Sequence, residues 1–107
     1  MVKCNNATLG LDDTTPVGGF PAGASPYGCL DMAGNVWEWT CSLWRGYPYN
    51  PHDGRESLDA PDDDLRVLRG GAFRGDPRHV RCAYRDWLGA RVVYYNVGFR
   101  VALAGPL

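Results

Sequence analysis

No apolar run in this chain approaches the length of a membrane-spanning helix, and no Lys-rich block occurs. The start, Met1-Val2-Lys3-Cys4-Asn5-Asn6, lacks the pattern of a signal peptide. That implies a cytoplasmic chain by default, or one exported within a larger assembly. There is no C-x-x-C and no nearby His pair, so zinc-ligand spacing is absent. No Ser/His/Asp set stands at recognisable spacing, and a lone His such as His52 or His79 is more often a surface or binding residue than a base. Fourteen Gly and eight Pro carry no repeat and no G-x-y period, which excludes a fibre and points to turns. Helix signals are few.

At 107 residues the chain is one domain, 1–107. A domain of this size buries only about two-thirds of the surface its unfolded chain exposes, so core aromatics count heavily. Trp37, Trp39, Trp44 and Trp87, with six Tyr and three Phe, supply them. Net charge is −1 but unevenly spread. Ten Asp/Glu lie in residues 1–64, and eight Arg in residues 65–107. These Arg alternate with Leu, Val and Tyr, which suits guanidinium groups pairing with backbone carbonyls and an acidic loop rather than with nucleic acid. Cys4, Cys29, Cys41 and Cys82 are widely spaced. The favoured reading makes them small buried hydrophobes in a reducing compartment, with disulfide pairing as the alternative.

Along the chain, 15–21 forms a short extended piece and 23–28 a turn cluster. Val36 to Thr40 alternates like a strand, with Trp37 and Trp39 on one face. Residues 47–64 are a long acidic loop without period, either mobile or held by an ion. Leu65 to Arg69 is a strand ended by Gly70-Gly71. Arg78 to Arg85 alternates again, with Val80, Cys82 and Tyr84 facing one way. Residues 97–103 are a closing strand.

Several strings share an order found elsewhere. Pro16-Val17-Gly18, Ser25-Pro26-Tyr27-Gly28 and Leu30-Asp31-Met32-Ala33-Gly34-Asn35-Val36-Trp37-Glu38-Trp39 come first. Arg66-Val67-Leu68-Arg69-Gly70-Gly71, Arg81-Cys82-Ala83-Tyr84-Arg85 and Gly98-Phe99-Arg100 follow. Together, over 15–103, they resemble the C-terminal two-thirds of the formylglycine-generating-enzyme-like (sulfatase-modifying factor) family. The resemblance implies a C-type-lectin-like fold of the α+β class, mostly β and irregular, here minimal or truncated. It also implies a calcium site in which Asp31 and Glu38 give carboxylates and Gly34 and Val36 give carbonyls, donors that suit this ion. The alternative is that Glu38 pairs with an Arg such as Arg85 or Arg100. Otherwise no cofactor is expected.

The converting enzymes of that family oxidise with a cysteine pair after the Gly-Gly motif. Here Gly75 falls where the first of those cysteines would sit, and the shorter stretch leaves no place for the second. Thiol chemistry then lacks a partner, and the chain is expected not to be an enzyme.

The last third is similar to the variable region of proteins diversified by diversity-generating retroelements. In those proteins, randomised AAY codons cannot yield Lys, Glu, Gln, Met or Trp. Arg74, Gly75, Asp76, His79, Asp86, Leu88, Gly89, Val92, Val93, Tyr94 and Tyr95 pass that filter. Tyr84 is ambiguous, and Trp87 must be fixed. Leu88 and 92–95 also lack any steady period, as an exposed recognition surface would. The competing reading makes 92–95 an ordinary buried strand.

The expectation is therefore a scaffold over 15–73, a variable ligand-binding region over 74–95 and a closing strand. Its function would be receptor-type binding of an unknown ligand, expected to be a protein, with no nucleic acid and no membrane span. A formylglycine-generating-type oxidoreductase or its inactive remnant is the alternative. A structural or signalling accessory domain is a third.

Overall fold

Trp37–Leu43 form the central strand, β1, of a four-stranded sheet in this computed structural model, which describes residues 1–104. The last three residues of the expected 1–107 domain lie outside the described residues. Strand β2, Leu65–Arg69, pairs antiparallel with β1 (Glu38 opposite Arg69, Trp39 opposite Leu68). Strand β3, Asp86–Gly89, pairs antiparallel with β2, and β4, Val97–Gly98, runs parallel to β1. The sheet order is β3-β2-β1-β4.

Alternation in β1 puts Trp37 and Trp39 on the face where Leu68 and Ala72 complete a small core. Tyr84, Leu88 and Val97 pack against the same cluster. Val67, Leu43 and Phe73 are also buried, so β2 has both faces covered at its centre. Such burial stabilises by roughly 1.5–3 kcal/mol per large apolar side chain. Between Trp39 and Leu43 the register slips through an irregularity. There the Thr40 hydroxyl donates to the Val67 carbonyl (2.9 Å) and accepts from the Ser42 amide (3.2 Å).

The N-terminal segment is threaded under the turn that precedes β1. Asn5 is fully buried; its carbonyl accepts from the Asn35 amide (2.8 Å) and its side-chain amide donates to the Asp13 carbonyl (2.8 Å). Gly34 sits at φ +76, and a side chain there would collide with the Asn5 carbonyl. Only glycine meets both demands.

The C-terminal arginines brace the fold as their spacing suggests. Arg66 donates to the carbonyls of Cys41 and Ser57, Arg69 to those of Cys82 and Tyr84, and Arg91 pairs with Asp62 of the acidic loop. That loop closes around its own buried Arg55. The Arg55 guanidinium forks onto Asp53 and reaches the Gly46 carbonyl (3.0 Å), so a protein cation fills the role offered to an ion.

Four expectations are corrected. Residues 78–85 are not a strand: Pro77–Val80 form a short 3-10 helix, with the Asp76 side chain accepting from the Arg78 amide (2.8 Å). Pro at the first helical position and Asp at the cap outweigh the alternation. The third strand lies instead at Asp86–Gly89, in the stretch that showed no period. Of the closing strand 97–103 only Val97–Gly98 pair, both with the start of β1. The extended piece at 15–21 turns at Pro16–Gly19 and enters a 3-10 helix at Pro21–Gly23. The cysteines are not buried either: Cys29, Cys41 and Cys82 are exposed and Cys4 is half-buried.

Candidate functional site

The twelve expected surface positions divide into two groups. His79 and Tyr84 lie 4.7 Å apart between ring centroids and both stack on Trp37, at 5.8 and 6.0 Å. Leu88 packs on the same core. Asp76 caps the 3-10 helix, and the Arg78 backbone amide and then its side chain hold that carboxyl below the usual carboxylate range. Gly75 is wedged so that a Cβ would stand 3.0 Å from the Ala72 carbonyl oxygen. Asp86 and Gly89 are paired within β3. These positions carry the framework as well as any surface.

The second group stands clear of it. Val92, Val93, Tyr94 and Tyr95 are all exposed, Val93 at 94%. A turn from Gly89 to Val92 (3.0 Å) and a bond from the Val97 amide to the Tyr94 carbonyl (3.3 Å) lift them between β3 and β4. Tyr94 and Tyr95 stack at 4.9 Å, and buried Phe73 meets Tyr95 edge-on at 5.9 Å. The guanidinium of Arg74 lies 5.6 Å over the Tyr95 ring. Arg74 in turn forks onto Asp12, one arm at 2.7 Å. That bond holds the Asp12 carboxyl below its usual range and raises the Arg74 pKa. The cluster thus joins a fixed aromatic floor, a neutralised arginine and four open side chains.

Asp12 and Phe73 are parts of this surface that the sequence reading misses; the exposed Trp87 lies edge-on to Trp44 instead, 6.4 Å between ring centroids. Asp12 lies 62 residues from Arg74. No local pattern links them.

The calcium set does not fit an ion here. Both Glu38 oxygens receive the Arg100 guanidinium at 2.6 Å, Asp31 Oδ2 accepts from the Gly18 amide (2.7 Å), and Arg100 also donates to the carbonyls of Leu30 and Asp31. A cation among Asp31, Gly34, Val36 and Glu38 would face a guanidinium. Among the described residues no three His, Cys, Asp or Glu gather as metal ligands.

Residues 4–104 match the sulfatase-modifying factor enzyme 1-like domain. The chain belongs to that family. Within the sulfatase-modifying factor family, the chain is 49% identical over 115 aligned positions to the formylglycine-generating enzyme of Mycobacterium tuberculosis, covering 96% of this chain and 37% of that one. It is 44% identical over 102 residues to the serine/threonine-protein kinase pkn1 of Chlamydia caviae, covering 92% of this chain and 16% of that protein. It therefore spans well under half the length of these curated relatives. Among solved structures, Treponema denticola variable protein 1 superposes with a TM-score of 0.69 at 24% identity, over 91% of this chain and 34% of that one. The likeness gives the fold, the C-type-lectin-like one expected. No helix among the described residues is long and apolar enough to cross a membrane.

Proposed function

We propose that this chain is a non-catalytic ligand-binding domain of receptor type, displaying a diversified surface in the manner of a diversity-generating retroelement variable protein. The observation that carries this reading is the exposure of Val92–Tyr95 above a buried framework of Trp37, Leu68, Ala72 and Phe73. An apolar run of this kind seldom stays open unless it binds something. Tyr and Arg supply large, stiff contact area at low ordering cost, as in antibody paratopes. The fold shared with a variable protein supports the same reading. With Arg74 neutralised by Asp12 and Arg91 by Asp62, the surface suits an uncharged protein patch better than a polyanion.

The coding DNA tests it. A near-copy of codons 66–100 mismatched chiefly at adenines, beside a reverse transcriptase gene, is the expected finding; scattered differences, or no copy, overturn it. The mismatches should concentrate on codons 92–95.

Family membership and the 49% identity to a formylglycine-generating enzyme favour a second reading, an oxidoreductase or its remnant acting on peptide cysteines. Gly75 stands where the resemblance calls for the first cysteine. Copper-loaded chain incubated with a cysteine-containing peptide should leave the peptide mass unchanged. Conversion of the cysteine to an aldehyde would make the chain an enzyme.

A further inference from the structure

On the face of the sheet turned away from Trp37, beside the long loop, lies a cavity of about 80 Å³. Ser42, Tyr47, Tyr49, Val67, Arg69 and Arg85 are among its walls. The register of β2 and β3 pairs Leu68 with Asp86, so the next step outward sets Arg69 opposite Arg85 on the Val67 face. Like charges placed so repel one another. Neither arginine forms an ion pair among the described residues. The nearby carboxylates are engaged elsewhere. Glu38, across from Arg69 on β1, is held by Arg100, Asp53 by Arg55, and Glu56 by the hydroxyls of Ser42 and Tyr49. Each half-buried guanidinium donates only through Nη1, Arg69 to the carbonyls of Cys82 and Tyr84 and Arg85 to that of Arg45. Nε and Nη2 of both side chains have no acceptor among the described residues. Stacking on Trp44 and Tyr47 uses the faces of the Arg85 plane and leaves its N–H edge open.

We propose that this cavity binds a small dianionic oxoanion, a phosphate or sulfate group, held between Arg69 and Arg85. The unspent nitrogens supply charge-assisted donors in the fork geometry that such a group accepts. Charge selects the class: two guanidiniums balance two negative charges, which a single carboxylate does not carry. Volume agrees, because about 80 Å³ has room for several waters and so for one such group, while the rest of an ester would lie outside. The walls of the cavity, and the bonds and stacking that aim the two guanidiniums, all fall within residues 42–85. Filling the site would also relieve the repulsion between the paired cations.

Titration of the purified chain with inorganic phosphate and with sulfate tests this, at constant ionic strength with chloride making up the balance. The arginine Nε–Hε resonances are read by NMR, since both anions also stabilise folded proteins without binding them. The expected result is that the Arg69 and Arg85 resonances move along a saturating curve. Arg85→Gln is expected to weaken binding by at least about tenfold, because it removes one of the two charged forks. Arg81 is exposed and lies outside the cavity, so Arg81→Gln should bind as wild type does. Phenyl phosphate that binds as tightly as inorganic phosphate assigns the group to a larger molecule, whereas binding of the inorganic ion alone assigns it to the free ion. Either result supports the site. Should Arg85→Gln fail to fold, the wild-type resonances decide. Curves that do not saturate, shifts spread evenly over the arginines, or acetate bound as tightly as sulfate overturn the proposal.

Discussion

Arg100 reaches back across 62 residues of chain to close a two-pronged bond on Glu38, with both N–O distances 2.6 Å. The pair fastens the exit of β4 to the start of β1 and occupies the carboxylate that a calcium ion would need. Glu38 is the more buried partner, its side chain 18% exposed against 39% for Arg100.

Removing the cation should therefore leave a half-buried carboxylate uncompensated. Arg100→Ala is expected to cost about 1–2 kcal/mol, below the figure for a fully buried pair because Arg100 stays in contact with water. Wild-type chain should show the same Tm with calcium and with a chelator. A calcium-dependent rise in Tm would mean that Glu38 exchanges its partner.

Side-chain replacement should separate the two groups of surface positions. Val93→Ser and Tyr94→Ser are expected to shift stability by no more than about 0.5 kcal/mol, as for surface positions generally. Leu88→Ala, touching Trp37 and Leu68, should cost about 1–3 kcal/mol, and Leu68→Ala more. Urea midpoints of the four variants check this. Equal losses at positions 88 and 93 would contradict the division.

Acid should loosen the Arg74 clamp. Hydrogen bonding from Arg74 holds the Asp12 carboxyl below its unfolded value, and Arg55 does the same to Asp53. A carboxyl whose folded pKa is depressed contributes stability above the unfolded pKa, near 3.9, and loses it as pH falls through the lower folded value. The urea midpoint should thus drop below about pH 4, and Asp12→Asn should make that drop shallower while lowering stability at neutral pH. A variant whose acid profile matches wild type would show that the clamp adds nothing in solution.

Arg85 is expected to hold the start of the long loop. Its guanidinium lies 4.3 Å from the Trp44 ring and 4.2 Å from that of Tyr47, and it donates to the Arg45 carbonyl (3.0 Å). Arg85→Ala should cost about 1–2 kcal/mol and raise amide exchange over 44–49. Arg85→Lys should recover only part, since an ammonium lacks the planar face that stacks on two rings. Full recovery by Lys would mean that charge alone matters.

Elements governed by neighbours along the chain are legible in the sequence. Leu65–Arg69 reads as a strand at its observed bounds, because a short aliphatic run centred on Val67 and stopped by Gly70-Gly71 decides the matter locally. The start of the Trp37 strand is legible from its alternation, although the observed strand runs on to Leu43, past the expected end at Thr40. Arg78–Arg85 misleads because its alternation competes with Pro77 and Asp76, whose capping acts over only three residues. Leu88 reads as an open position because a four-residue strand offers too few repeats to show a period.

The sequence by itself determined the family, the two central strands and the run of apolar side chains at 92–95, all written in adjacent residues. Only the tertiary structure decided that Glu38 meets Arg100, that Asp12 clamps Arg74, and that His79, Tyr84 and Leu88 turn inward while Val92–Tyr95 turn out. Those outcomes depend on which distant segments the chain brings together. A carboxylate's partner, or the side of a turn that meets water, is fixed by packing and not by spacing.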